Sequence, residues 1–217
     1  MHSQPPAGRA SRDAAVFAAL GADISKACAA RLARVVGTHG LFLDAIGVAA
    51  PALAGIACWT ALNPSGAGSE WRGPLRMRLD ELPFADDAFC AVLACVPDAA
   101  DVSVAPELAR LLAPHGKLLV AGLHPRSLWQ RGVAPRRWER ALRQAGLDVL
   151  PAVRCGAPWP RMRGADGLPG WLVRGAGGAW IIEARRSVLA VLPLRKTSKH
   201  RAVEHSPLMP GAHRQRA

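Results

Sequence analysis

The side chains best equipped for chemistry begin with two adjacent carboxylates, Asp80 and Glu81, beside Leu82 in the stretch Leu79-Asp80-Glu81-Leu82-Pro83-Phe84-Ala85-Asp86-Asp87-Ala88-Phe89. Carboxylates at a strand-to-loop boundary accept hydrogen bonds from ligand hydroxyl or amino groups, although the same residue types often serve only as hydrated turn residues. A metal site would need more, and no His or third acid stands at ligand spacing. His124, in Gly122-Leu123-His124-Pro125, is the one candidate general base, because imidazole exchanges a proton near neutrality. A loop histidine with no visible partner is nevertheless more often structural or solvent-facing. Five cysteines, Cys28, Cys58, Cys90, Cys95 and Cys155, form an odd set without a Cys-x-x-Cys pair, which argues against a zinc site or a disulfide framework. Gly-x-Ser-x-Gly and the Walker phosphate loop are both absent, so neither a hydrolase elbow nor a P-loop is expected.

These residues need a scaffold, and 217 residues, half of them apolar, suffice for one domain with a core. The charge is unevenly spread. Residues 1–123 carry ten basic and eleven acidic side chains, 124–194 twelve and four, and 195–217 six and one, so the net +12 arises entirely after Leu123. Such asymmetry suits an anionic partner met by the basic carboxyl-terminal half, or simply a solvated face with a tail. Seven tryptophans among arginines, with no tyrosine, resemble a stacking surface for single-stranded nucleic acid, but no RNA-binding motif accompanies them and nucleic acid is not favoured. Leu41 to Leu62 is long enough to span a bilayer, yet Asp44, Gly47, Pro51 and Gly55 interrupt it and Ala and Gly predominate, so no membrane span is favoured. No secretory h-region is evident in the first thirty residues, and a cytoplasmic location is expected.

The periodicity places the elements. Residues 1–12 read as a flexible start; Val16, Phe17, Leu20, Ile24, Cys28 and Leu32 predict helix from Asp13 to about Val35. Short runs at Leu41–Ile46, Gly55–Leu62 and Leu75–Leu79 predict strands. The continuous apolar runs Phe89–Cys95 and Lys117–Ala121 suit parallel strands covered on both faces, with Val104, Leu108, Leu111 and Leu112 marking a crossover helix between them. Pro135 opens a further helix with Trp138, Ala141, Leu142 and Ala145 on one face; Leu147–Val153 predicts a strand, 154–178 is loop-rich, and Ala179–Ala184 with Val188–Leu192 predicts a closing antiparallel pair. The expectation is a Rossmann-like α/β/α sandwich over residues 13–194, its sheet mostly parallel, followed by a basic, disordered tail at 195–217.

The stretch from Leu79 to Leu93 resembles the loop and fourth strand of class I S-adenosylmethionine-dependent methyltransferases of the type 11 group, whose pattern is Asp-x-x-x-Leu-Pro-Phe-x-Asp-x-x-Phe-Asp. Glu107-Leu108-Ala109-Arg110-Leu111-Leu112-Ala113-Pro114-His115-Gly116-Lys117-Leu118 is similar to that family's Arg-x-Leu-x-Pro-Gly-Gly turn before strand five. Gly122-Leu123-His124-Pro125-Arg126-Ser127-Leu128-Trp129 resembles a Gly-Phe-Asn-Pro-x-Ser-Leu-Trp signature of a proteobacterial subgroup. Together the likeness covers about residues 25–195.

The resemblance implies S-adenosylmethionine as cofactor, with Asp80, Glu81 and Leu82 in the region beside its adenine and His124 near a methyl acceptor that the sequence does not identify. Its first glycine motif is degenerate: only Val36-Gly37-Thr38-His39-Gly40 lies near the expected place, making Gly37 and Gly40 the candidates for close backbone approach. The acid expected after strand two is absent and Asn63 is its uncharged substitute; Cys90 and His115 stand where the pattern has Asp and Gly. The implied function is methyl transfer to that acceptor, the alternative being a catalytically degenerate relative that binds an anionic partner.

Overall fold

A computed structural model describes residues 7–45, 55–64, 70–73, 76–95, 99–125, 134–158 and 167–187. Its centre is a nine-stranded sheet: β1 (Gly37–Asp44), β2 (Ile56–Pro64), β3 (Glu70–Arg72), β4 (Arg76–Arg78), β5 (Phe89–Cys95), β6 (Leu112–Leu123), β7 (Asp148–Val149), β8 (Val153–Cys155) and β9 (Ala179–Arg185). The strand order is β4-β3-β2-β1-β5-β6-β9-β7, with β8 also on β9. β2, β1, β5 and β6 are mutually parallel, whereas β9 runs antiparallel to β6, β7 and β8. The helices are α1 (Ala7–Leu32), α2 (Ala105–Leu111), α3 (Pro135–Gln144) and α4 (Gly170–Ala176).

Side chains alternate across a strand, so the apolar runs divide between two cores. Leu41, Leu43, Val92, Ala94, Leu118 and Val120 face one layer with Trp138 and Leu142 of α3, and Phe42, Ala91, Leu93, Cys95, Leu119 and Ala121 face Leu20, Ile24, Cys28 and Leu32 of α1. Burial on both faces is why these strands read as continuous apolar runs. The α/β sandwich with a mostly parallel sheet is therefore the observed fold.

Several boundaries differ from the sequence expectation. α1 starts at Ala7, earlier than Asp13, and β1 starts at Gly37, earlier than Leu41. The run Leu147–Val153 divides into β7 and β8 around Leu150-Pro151-Ala152, because proline has no N–H to give a ladder. The loop-rich 154–178 contains α4, and β3 was not anticipated at all. Strand β9 does close the sheet antiparallel, but its described partners are β6, β7 and β8; Val188–Leu192 and the tail lie outside the described residues.

Among the described residues no helix is long and apolar enough to cross a membrane. The segment Leu41–Leu62 instead supplies β1 and β2, with residues 46–54 outside the described set.

Candidate functional site

The parallel strands end together, at Asp44, Pro64, Cys95 and Leu123. β4 is related to β2 by two antiparallel pairings, so it runs in the same sense and delivers Asp80 and Glu81 to that same carboxyl edge. Chain order reverses between β1 and β5, where the connections leave in opposite directions and open a crevice at the strand ends. Asp44 closes β1 at this point, opposite Cys95 of β5. It is 7% exposed and is the one buried charged residue among those described. The sequence shows it only as an interruption of an apolar segment, although an acid closing the run Leu41-Phe42-Leu43 was the available signal for a site residue.

Asp80 is exposed and held by Arg78, whose Nε and Nη2 donate to its two oxygens at 2.9 and 2.8 Å. That hydrogen-bonded guanidinium lowers the Asp80 pKa, keeping the group anionic. Glu81 is also exposed and forms a backbone bridge with Arg78. Leu82 points inward at 3% exposure, and its N–H donates to Glu107 Oε1 at 2.9 Å. Asn63 is exposed near the end of β2, paired in register with Arg72 of β3.

The loop from Leu82 to Asp86 is fastened by α2. Arg110 donates from Nε and Nη2 to Glu107 and from Nη1 and Nη2 to the carbonyls of Phe84 and Leu82, while Nη1 also reaches Asp86. All five N–H groups of the guanidinium are thus used. Phe84 packs edge-on against Phe89 with ring centroids 5.1 Å apart. The Leu-Pro-Phe stretch has a structural duty in this clamp, whatever happens at Asp80.

Gly37 and Gly40 are not brought to this edge. Both lie in the first half of β1, and Gly37 is about 23 Å from Asp44 at the usual strand rise. Their small size has a packing reason: a Cβ on Gly37 would meet Cys90 Sγ at 2.4 Å, and one on Gly40 the Trp59 ring at 2.7 Å. The glycine-bearing segment is strand, and residues 46–54 after β1 lie outside the described set.

His124 follows β6, its N–H donating to Gly178 O at 2.9 Å. It lines a cavity of about 440 Å³ with Pro135, Arg136, Ala152, Arg154 and Trp180. Trp180 is fixed by its Nε1–H donating to Leu123 O at 2.9 Å. Arg136, Arg154 and Trp180 were not singled out as site residues, because only the sheet topology brings the start of α3, β8 and β9 to the end of β6. The carboxyl edge therefore has an acidic corner at β1 and β4 and a basic cleft beyond β6.

Among the described residues no group of three or more His, Cys, Asp or Glu side chains could hold a metal ion. All five cysteines are free thiols. Burial pushes Cys28 and Cys155 up to about 12, so they stay protonated and unreactive at neutral pH.

No family model and no curated protein matches the chain. Solved structures do. The [4+2]-cyclase SpnF aligns with a TM-score of 0.53 at 17% identity, over 76% of this chain and 80% of its own. The YcgJ protein of Bacillus subtilis aligns at 0.50 and 12%, over 76% and 99%. An S-adenosylmethionine-dependent methyltransferase of Mesorhizobium loti aligns at 0.46 and 12%, over 74% and 96%. The likeness is one of fold: a Rossmann-like α/β sandwich.

Proposed function

We propose that the chain is an S-adenosylmethionine-dependent methyltransferase with its cofactor at the carboxyl edge between β1 and β4. The observation that carries this reading is the buried Asp44 at the β1/β5 crevice, with Asp80, Glu81 and Asn63 on the same edge. The donor set suits the molecule. Carboxylates complement its ammonium and sulfonium charges, and Asn63 and Asp80 offer acceptors for ribose hydroxyls. Bound there, S-adenosylmethionine supplies an electrophilic methyl group that an acceptor atom takes by in-line displacement, leaving S-adenosylhomocysteine.

The chain's own contribution is orientation. Asp44 would hold the cofactor end nearest the crevice, Asp80 and Glu81 would flank the other end, and the cleft beyond β6 would receive the acceptor. Arg136 and Arg154 select an acceptor carrying negative charge, and His124 takes up the proton that a hydroxyl or amine acceptor releases. A cytoplasmic location belongs to the same reading, on the ground of five unpaired thiols.

Similar folds carry other chemistry, as the cyclase SpnF illustrates, so the cofactor must be tested directly. Calorimetric titration with S-adenosylmethionine and S-adenosylhomocysteine should give micromolar binding. Asp44→Asn and Asp80→Ala should weaken it while far-ultraviolet circular dichroism stays unchanged. No heat with either ligand at millimolar concentration would overturn the proposal and favour a non-catalytic protein that meets an anionic partner through its basic carboxyl-terminal half.

A further inference from the structure

The opposite, amino edge of the sheet holds a larger cavity, of about 530 Å³, between the residues that follow α1 and the first half of β6. Strands β1, β5 and β6 begin here and β9 ends here, so a chain that passes Val36 or Cys90 lies a full strand length from Asp44 and Cys95. The lining is cationic. Arg34, Lys117 and Arg185 contribute guanidinium and ammonium groups, and His115 adds an exposed imidazole.

The nearby carboxylates do not neutralise this charge. Glu183 is shared between Lys117 Nζ at 3.2 Å and Arg185 Nη2 at 2.7 Å, one anion for two cations. Asp87 is taken by Arg186. Arg34 is exposed and has no ion pair or hydrogen bond among the described residues. The sequence that follows β9 brings no remedy, with six basic and one acidic residue in 195–217. Lys117 is further fixed by donating to Arg31 O at 2.6 Å, which costs side-chain freedom for a charge that faces the cavity. His115 sits at a backbone φ of 61°, a conformation that histidine adopts at some expense. Two independent costs, a clustered cationic charge and a left-handed non-glycine residue, thus fall on one cavity.

We propose that this amino-edge cavity is a second ligand site, separate from the cofactor edge, that binds a small organic phosphate. The phosphate oxygens match the forked donors of Arg34 and the outer Nη1 group of Arg185, whose Nε and Nη2 are held by Glu183, and a dianion satisfies these donors better than chloride or water. The organic body lies against Val36, which is 81% exposed, and Pro114 near the start of β6. A volume of this size is ample for such a molecule. The proposal does not depend on the methyltransferase reading, because it uses no residue of the carboxyl edge.

Phenyl phosphate, inorganic phosphate and phenol are titrated into the full chain at low ionic strength by calorimetry, with Arg34→Gln and Arg185→Gln as test variants and Arg140→Gln on α3 as control. Phenyl phosphate is expected to bind, phenol not to bind, and each test variant to raise the Kd about tenfold. The control should bind as the parent does. Equal affinity for inorganic phosphate would support the site and make free phosphate its ligand. Bound phenyl phosphate should also slow iodoacetamide alkylation of Cys90, which lines the cavity, while leaving exposed Cys58 unchanged. No phosphate binding to folded protein, or a loss confined to Arg140→Gln, would overturn the proposal. S-adenosylmethionine titration of Arg34→Gln keeps the two sites distinguishable, since it should match the parent.

Discussion

Replacing Arg110 by alanine removes the clamp on the Leu82–Asp86 loop, and the cost follows from what its five N–H groups hold. The contact to Asp86 contributes little, because that carboxylate is 72% exposed. The remainder matters: Glu107 is 15% exposed and loses the two donors of Arg110, keeping the Leu82 N–H, while the carbonyl of half-buried Phe84 loses its donor and that of buried Leu82 keeps the Phe84 N–H. Charged hydrogen bonds of this kind carry about 1.5–3 kcal/mol each at best, and Arg110 is itself one-third exposed, so water recovers part of the loss. The expected destabilisation is about 2–3 kcal/mol. Arg110→Lys should cost about half as much, since an ammonium keeps the charge but cannot span Glu107 and two carbonyls at once. In urea unfolding, with a slope of about 2 kcal/mol per molar, the alanine midpoint should fall by about 1 M. Midpoints unchanged in both variants would refute the assignment of the loop's anchorage to Arg110.

The same clamp has a pH signature. Hydrogen bonding from Arg110 holds the Glu107 pKa below its ordinary 4.5, so its stabilisation is complete above that value and is lost as pH falls through the lower, folded one. Urea midpoints measured from pH 6 downward should therefore decline less steeply in Glu107→Gln than in the parent. The two indoles that are fully buried among the described residues should behave differently: Trp138 Nε1 has no acceptor there, so Trp138→Phe should cost under about 1.5 kcal/mol, whereas Trp180→Phe also removes the donor to Leu123 O and should cost about 1–2 kcal/mol more. Gly122→Ala would set a Cβ 2.5 Å from the Trp180 ring, and thermal melting should show about 1–3 kcal/mol of destabilisation with altered tryptophan fluorescence.

The elements legible in sequence were those whose pattern is local. Phe89–Cys95 is continuously apolar because both its faces are covered, and α3 shows its buried Trp138 and Leu142 against exposed arginines in the spacing of its residues. β3 was invisible because Glu70-Trp71-Arg72 is strand only by virtue of lying between β2 and β4. Asp80, Glu81, Asn63 and His124 reach one edge because each follows or ends a strand running the same way. Gly37 and Gly40 do not, since glycines in a short polar segment read alike whether they form a ligand turn or make room for Cys90 and Trp59 of the two flanking strands. Asp44 stood out only as a break in an apolar segment, because its significance depends on which strands flank β1, a fact of topology and not of spacing.

Strand β9 occupies the position between β6 and the β7/β8 pair, though it is the last strand in chain order. During synthesis, β6 emerges well before its antiparallel neighbour and must wait with an open row of backbone donors and acceptors until residue 185 has left the ribosome. The two short strands β7 and β8 wait as well, since β9 is their common partner. An open edge of this kind invites pairing with another nascent chain. The interval between residues 123 and 179 is thus the stretch of translation in which this protein is most exposed to aggregation, and chains cut short within it should be recovered as insoluble material.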